Sequence, residues 1–173
     1  AVFDITKLRW LNSEYLKRHS DNDLYERIRL QLADLAKQYG EKKVRFAMSV
    51  VRPGAVTYEE VAQRTHDIFA PSPEPDHEAV SMLSGDSALK LLQHLKEHLS
   101  KTPVATWETY EDIGNTFKEM CKSSGKAAGL KGKEMWQVVR AALTGRLEGP
   151  ELAKLVAIWG RERVLEQLEK AMR

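Results

Sequence analysis

A single cysteine, Cys121, occurs in 173 residues. That excludes an internal disulfide framework and fits a reducing compartment, so a cytoplasmic protein is expected. No apolar run approaches the roughly 20 residues that span a bilayer, and the sequence as given opens on no basic-then-apolar signal pattern. Its first residue is Ala1 rather than a methionine, as expected of a fragment of a longer protein. Glycine and proline are scarce, ten and six residues, and valine plus isoleucine (17) fall short of leucine alone (20). Straight-chain residues lose little rotamer freedom in a helix and β-branched ones lose more, so the balance favours helices over sheet. No strand alternation and no glycine-rich phosphate loop of the G-x-x-x-x-G-K-S/T or G-x-G-x-x-G kind is present, which leaves no candidate ATP site. What is present, 42% hydrophobic and 30% charged residues, suits a soluble chain with a buried core.

The net charge of +2 conceals a pattern. Residues 1–52 carry 11 basic against 7 acidic side chains, residues 53–116 carry 4 against 11, and residues 117–173 carry 12 against 7. Two basic blocks flanking an acidic one can line positive faces along a polyanion. Periodicity is helical nearly throughout. Ile5, Leu8, Leu11 and Tyr15 share one face of a helix over 4–18; Leu24, Ile28, Leu32 and Leu35 mark a second over 21–39, opened by Ser20 and closed by Gly40. A helix over 41–52 stops at Arg52-Pro53-Gly54, and Thr57-Tyr58-Glu59-Glu60 reads as a capping box for the next. Three of the six prolines lie in 70–76, an extended, stiff hinge. Beyond it, helices are expected over 86–100 and over 107–123 (capped by Thr106). A flexible basic connection follows over 123–132, then helices near 133–143, 150–159 and 161–172, with Pro150 at a first helical position. The domains expected are 1–18, 19–70, a hinge at 71–76, and 77–173, all of them helical.

The sequence contains no credible catalytic centre. His94-Leu95-Lys96-Glu97-His98 matches the H-x-x-E-H order of a class of zinc peptidases, but Ala88, Leu91, Leu92, Leu95 and Leu99 define the buried face and Glu97 points away from it. The two histidines are expected on an exposed flank. Cys121 has no local base and is expected to be a lone half-buried thiol. Binding features are stronger. Lys126, Lys131, Lys133, Arg140 and Arg146 surround a loop and helix, either as phosphate contacts or as a solvated basic face. Leu147-Glu148-Gly149-Pro150 puts a helix start near Arg140, where an anion or an unstacked base could be received. Trp10, Trp107, Trp136 and Trp159 are candidates for stacking or for core, with Trp159 leaning to core.

Three stretches carry a family resemblance. Residues 3–16, Phe3-Asp4-Ile5-Thr6-Lys7-Leu8-Arg9-Trp10-Leu11-Asn12-Ser13-Glu14-Tyr15-Leu16, resemble the F-D-x-x-K-L-x-W-x-N-x-x-Y-I/L signature of bacterial-type glutamyl-tRNA synthetases. Val139-Arg140-Ala141-Ala142-Leu143-Thr144-Gly145 is similar to that family's L-R-A/V-A-L/V-T-G element, and Trp159-Gly160-Arg161-Glu162-Arg163 to its final L-G-K/R-E-R helix. The resemblance spans essentially the whole chain and is looser over 70–130. It implies the carboxy-terminal, all-α half of such an enzyme. The end of the stem-contact region would be followed by two helical subdomains forming an anticodon-binding cage. The catalytic domain, with its HIGH-like and KMSKS-like motifs, ATP and Mg, would lie before Ala1, and no cofactor or metal is expected in this chain. A helical protein-interaction module without tRNA binding is the alternative.

By the same resemblance Arg140 contacts anticodon bases, while Gly149, Pro150 and Leu152 contribute backbone and apolar contacts to the last two. Arg52, Lys131, Lys133 and Arg146 are the phosphate candidates. One departure stands out. The family's R-P-R reads here Arg52-Pro53-Gly54, so the arginine that recognises the third anticodon base has become Gly54. Glutamate and glutamine tRNAs differ there as C versus G, and a mismatch at a specific contact costs about 1–3 kcal/mol. Glycine removes both attraction and obstacle. The resemblance therefore implies a non-discriminating enzyme acting on tRNA(Glu) and tRNA(Gln), with an amidotransferase converting the mischarged product, and a monomer.

Overall fold

The computed structural model describes residues 2–173. Among them are ten α-helices, one short 3-10 turn and no strand. The chain divides into two compact units, one ending at Pro71 and the other running Ser72–Arg173.

The first unit contains α1 (Ile5–Lys17), α2 (Asp21–Ile28), α3 (Ala33–Tyr39), α4 (Glu41–Val51) and α5 (Tyr58–Phe69). Asp4, Ser20 and Thr57 cap α1, α2 and α5, each side-chain oxygen accepting from a backbone N–H three residues on. At α5 the box is shifted by one residue. The Glu60 carboxylate accepts from the Val56 N–H at 2.8 Å rather than from Thr57. Leu24, Ile28, Leu32, Val44, Met48 and Val61 form the core, all essentially inaccessible.

The single helix expected over 21–39 is broken. Residues 29–32 form turns, and the His66 ring from α5 bonds the Gln31 carbonyl at 2.8 Å. A side chain drawing a carbonyl out of the ladder is a recognised cause of a helix break, and Leu32 and Leu35 stay buried across it. The α1 stripe behaves otherwise than an inward face. Ile5, Leu8, Leu11 and Tyr15 are 63%, 42%, 49% and 54% exposed, and only Leu16 of this helix is buried.

In the second unit a proline-rich strap, 72–76, leads to α6 (His77–Leu83), α7 (Asp86–Lys101), the 3-10 turn (Val104–Trp107), α8 (Tyr110–Ala128), α9 (Gly132–Thr144) and α10 (Leu152–Ala171). Gly160 breaks α10 with non-helical angles (φ 79°, ψ 173°), so two helices meet there. Leu91, Leu95, Leu99, Ile113, Phe117, Leu143, Val156 and Leu168 pack α7, α8, α9 and α10 around one core.

In this unit three expectations are corrected and one helix is added. Thr109, not Thr106, caps α8, bonding the Asp112 N–H at 3.1 Å, and Thr106 lies in the 3-10 turn. The stretch expected as a flexible connection over 123–132 is helical to Ala128. Ser124 and Gly125 are buried, and a Cβ on Gly125 would lie 2.5 Å from Met135 Sδ, an approach that only a bare backbone permits. Pro150 precedes α10, whose N-cap is Glu151, rather than occupying its first turn. Helix α6, capped by Asp76, had no counterpart in the periodicity.

Candidate nucleic-acid interface

Helix α9 buries Met135, Val138, Val139 and Ala142, which turns Trp136 and Arg140 to a half-buried flank. After Thr144 the chain reverses, and the Arg140 guanidinium donates to the Pro150 carbonyl at 2.8 Å. The Thr144 hydroxyl fixes this return. It donates to the Arg140 carbonyl at 2.8 Å and accepts from the Arg146 N–H at 3.2 Å. Sequence reasoning did not single out Thr144. Its place directly before a reversing Gly145 was the available signal.

The reversal leaves two concave spaces. One, of about 550 Å³, is lined among others by Asp76, Lys133, Trp136, Arg140 and Arg146. The other, of about 220 Å³, is lined by Lys118, Trp136, Arg140, Glu151 and Leu152. Trp136 and Arg140 are walls of both. A Cβ on Gly149 would sit 3.3 Å from Arg140 Nη1, so the glycine gives the guanidinium its room. Leu152 is buried as the first residue of α10, and Pro150 is half-buried.

Arg140 has an unusual electrostatic setting. Burial lowers its pKa from the ordinary arginine value, and among the described residues it makes no carboxylate ion pair; its one hydrogen bond is to a neutral carbonyl. A partly desolvated guanidinium without a counter-charge is costly, and its remaining N–H edges are suited to a planar acceptor group. Nearby, Glu151 is bound by Lys118 at 2.8 Å, which holds its carboxyl below the usual range.

The other phosphate candidates are placed differently. Lys133 is exposed on the rim of the larger space, whereas Lys131, exposed at the α9 N-cap, is not among its lining. Arg146 is occupied by the strap. It donates to the Glu74 carbonyl at 2.8 Å and to the Gly145 carbonyl at 2.7 Å, and pairs with Asp76 at 3.7 Å. In the first unit Arg52 pairs with Asp21 at 2.6 Å and donates to the carbonyls of Leu16 (2.9 Å) and His19, with its side chain 17% exposed. It ties α4 to the α1–α2 junction and is not a free cation. Gly54 is exposed at φ +80°, in a turn closed by the Ala55 N–H on the Arg52 carbonyl at 3.1 Å. Proline followed by a positive-φ glycine is the type II pattern. The residues named from the sequence thus divide, Gly54 with Arg52 in the first unit, Lys133, Arg146, Gly149, Pro150 and Leu152 near Arg140 in the second, and Lys131 apart at the α9 N-cap.

Of the tryptophans, Trp10 is exposed, Trp136 lines the site, Trp107 packs half-buried on the core, and Trp159, also half-buried, is covered by Arg163 at 4.6 Å. His94 and His98 lie on the outer flank of α7 with ring centroids 6.5 Å apart, and Lys101 holds the Glu97 carboxyl below its usual range. Among the described residues no group of three or more His, Cys, Asp or Glu is placed to hold a metal ion, and no helix is long and apolar enough to cross a membrane. Cys121 is fully rather than half buried, and burial pushes its thiol far above the range in which a thiolate forms at neutral pH.

Comparison with known proteins gives the geometry its context. A family model described as anticodon binding domain matches residues 31–172. The glutamate–tRNA ligase of Finegoldia magna is 27% identical over 176 residues, covering 99% of this chain and 34% of that protein. That of Exiguobacterium sibiricum is 29% identical over 175 residues, covering 98% and 35%. The chain therefore spans about a third of the length of the curated relatives it matches. Among solved structures, a glutamate tRNA ligase from Elizabethkingia meningosepticum in complex with its amino acid superposes with a TM-score of 0.80 at 22% identity, covering 98% of this chain and 32% of that one, a likeness of fold.

Proposed function

The chain belongs to the anticodon binding domain family, and from that premise we propose that it grips the anticodon arm of tRNA(Glu) as the non-catalytic part of a glutamate–tRNA ligase. The observation that carries this reading is Arg140, a half-buried cation without a counter-charge, standing with Trp136 between two concave spaces. An unstacked base has a π-face for Trp136 and acceptor atoms for the free guanidinium edge, and stacking of this kind contributes about 1–3 kcal/mol per base. Gly149, Pro150 and Leu152 supply the backbone and apolar floor, with Lys131 and Lys133 toward the phosphates. Arg146 acts chiefly by holding the strap.

The joining of glutamate to tRNA, with ATP and Mg, is assigned to the remaining two thirds of such a protein, since this chain spans about a third of the glutamate–tRNA ligases it matches. The exposed apolar face of α1 suits packing against that catalytic part. Gly54 leaves the third anticodon position without a side-chain reader, so tRNA(Gln) is admitted beside tRNA(Glu), and an amidotransferase would correct the product. A cytoplasmic monomer fits these roles. Hydroxyl-radical footprinting of tRNA(Glu) on this chain tests the reading. Protection confined to the anticodon arm supports it, and absent or uniform protection favours a protein-interaction module instead.

A further inference from the structure

The turn at Gly54 lacks a side chain but not a cation. Arg64, one turn beyond Glu60 on α5, reaches back over it. Its Nη2 donates to the Gly54 carbonyl at 3.3 Å, and its Nη1 lies 3.8 Å from where a Cβ on residue 54 would stand. The guanidinium thus borders the volume into which a side chain at 54 would grow. Because Gly54 sits at φ +80°, where a Cβ is disfavoured, this backbone suits a reader supplied from elsewhere.

Arg64 is held only loosely by its neighbours, through a 3.9 Å pair with Glu60 and the 3.3 Å bond to Gly54. Glu60 is 3.9 Å away, but its carboxylate already accepts from the Val56 N–H at 2.8 Å and from Arg9 at 3.1 Å. Arg52, the other arginine at the turn, is occupied by Asp21 and two carbonyls. The Arg64 side chain is 42% exposed, and Pro53 and Gly54 are both exposed, so nothing in this unit walls the group off. In sequence, Arg64 is the one lysine or arginine between Arg52 and Lys90, in the acidic stretch of the chain.

We infer that Arg64 is the phosphate-binding residue of this turn, meeting the sugar–phosphate backbone of the anticodon loop at the nucleotide that residue 54 leaves unread. The inference rests on the proposed reading that the turn faces the anticodon. A guanidinium fork matches phosphate oxygens, and a long side chain with one 3.3 Å tether can follow the backbone rather than a particular base edge. Arg64 therefore adds affinity for both tRNAs equally, while Gly54 removes the choice between them.

The test uses the 173-residue chain, its Arg64→Ala and Arg64→Lys variants, and anticodon stem-loop RNAs carrying the glutamate and glutamine anticodons, titrated across a salt series. A lost single-strand phosphate contact removes about 0.7 from the slope of log K against log salt, which corresponds to about a fourfold loss at 0.15 M. Arg64→Ala should show both changes on both RNAs, with an unchanged thermal midpoint, and Arg64→Lys should retain most of the affinity. Unchanged affinity and slope would overturn the assignment. A loss on one RNA alone would also overturn it, making Arg64 a base reader. If the wild-type chain shows no anticodon-dependent binding, the underlying reading of the turn fails instead, and the wild-type titration alone identifies that case.

Discussion

Replacing Arg140 with methionine separates folding from binding. Methionine keeps most of the aliphatic stem and removes only the charged head. The head contributes one charge-assisted hydrogen bond, to the Pro150 carbonyl at 2.8 Å, a bond worth about 1.5–3 kcal/mol when its partner is otherwise unsatisfied. Against this stands the cost of holding a partly buried guanidinium without a carboxylate, which the lowered Arg140 pKa reflects. The two nearly cancel, so stability should change by less than about 1 kcal/mol. Binding has no such compensation. Loss of an arginine reading a base costs about 1–3 kcal/mol, or about five- to 150-fold in affinity. The assay pairs urea unfolding with a fluorescence titration against an anticodon stem-loop. If Arg140→Met unfolds at markedly lower urea yet binds RNA as tightly as the wild type, Arg140 is a structural residue and the account of the site is wrong.

Other consequences follow from the same geometry. Arg52→Ala should lower unfolding free energy by about 2–4 kcal/mol, because the Leu16 and His19 carbonyls lose a charged donor; unaltered denaturation would contradict its structural role. Gly145→Ala would bring a Cβ to 2.8 Å from the Pro73 carbonyl at a backbone φ of +69°, and should loosen the strap with a loss of about 2–4 kcal/mol, seen as faster proteolysis near residues 72–76. The Glu60 carboxyl is held below its ordinary value of 4.5, first by the Val56 N–H and then by Arg9 and Arg64. Its contribution is therefore complete above that value and lost as pH falls through the lower folded one, and Glu60→Gln should flatten the acid limb of the stability curve. Cys121 should resist alkylation by iodoacetamide in the native chain and react only on unfolding; rapid native labelling would show that α8 opens.

Much of the helical organisation was legible because local chemistry carries it. Ser20 and Thr57 cap the helices that their sequence positions indicated, and the leucine stripe of α7 is buried as its spacing required. Where two local signals competed, the nearer tertiary contacts decided. Thr106 and Thr109 both precede acidic residues, but Thr109 has Asp112 at the position that completes its cap, and Trp107 packs from the 3-10 turn against the core. Gly125 illustrates what a sequence hides. Serines and glycines among lysines read as a loop, whereas the glycine is there to let Met135 approach, a contact between two helices. Helix α6 is too short to show a stripe and buries only Ala79. The break in the expected 21–39 helix falls where His66, 35 residues further on, bonds the Gln31 carbonyl, a contact that no local pattern announces.

The candidate site divides along the same line. Arg140, Pro150 and Leu152 stood out through residue order, Trp136 was one of four tryptophans open to stacking or core, and their neighbourhood in space selects Trp136 and adds Thr144. Charge alone could not rank the arginines. Arg52, Arg64, Arg140 and Arg146 are equivalent in a sequence, yet Arg52 and Arg146 each hold a carboxylate and two backbone carbonyls, whereas Arg140 has one carbonyl partner. Arg64 was invisible because its relation to Gly54 spans ten residues and a turn.

The most direct test of the central claim is a titration of this chain with tRNA(Glu) transcripts bearing either the native or a scrambled anticodon, at one fixed moderate salt concentration. Tighter binding to the native anticodon, abolished by Arg140→Met, is the result predicted. Equal binding to both transcripts would contradict anticodon reading by the Arg140 site.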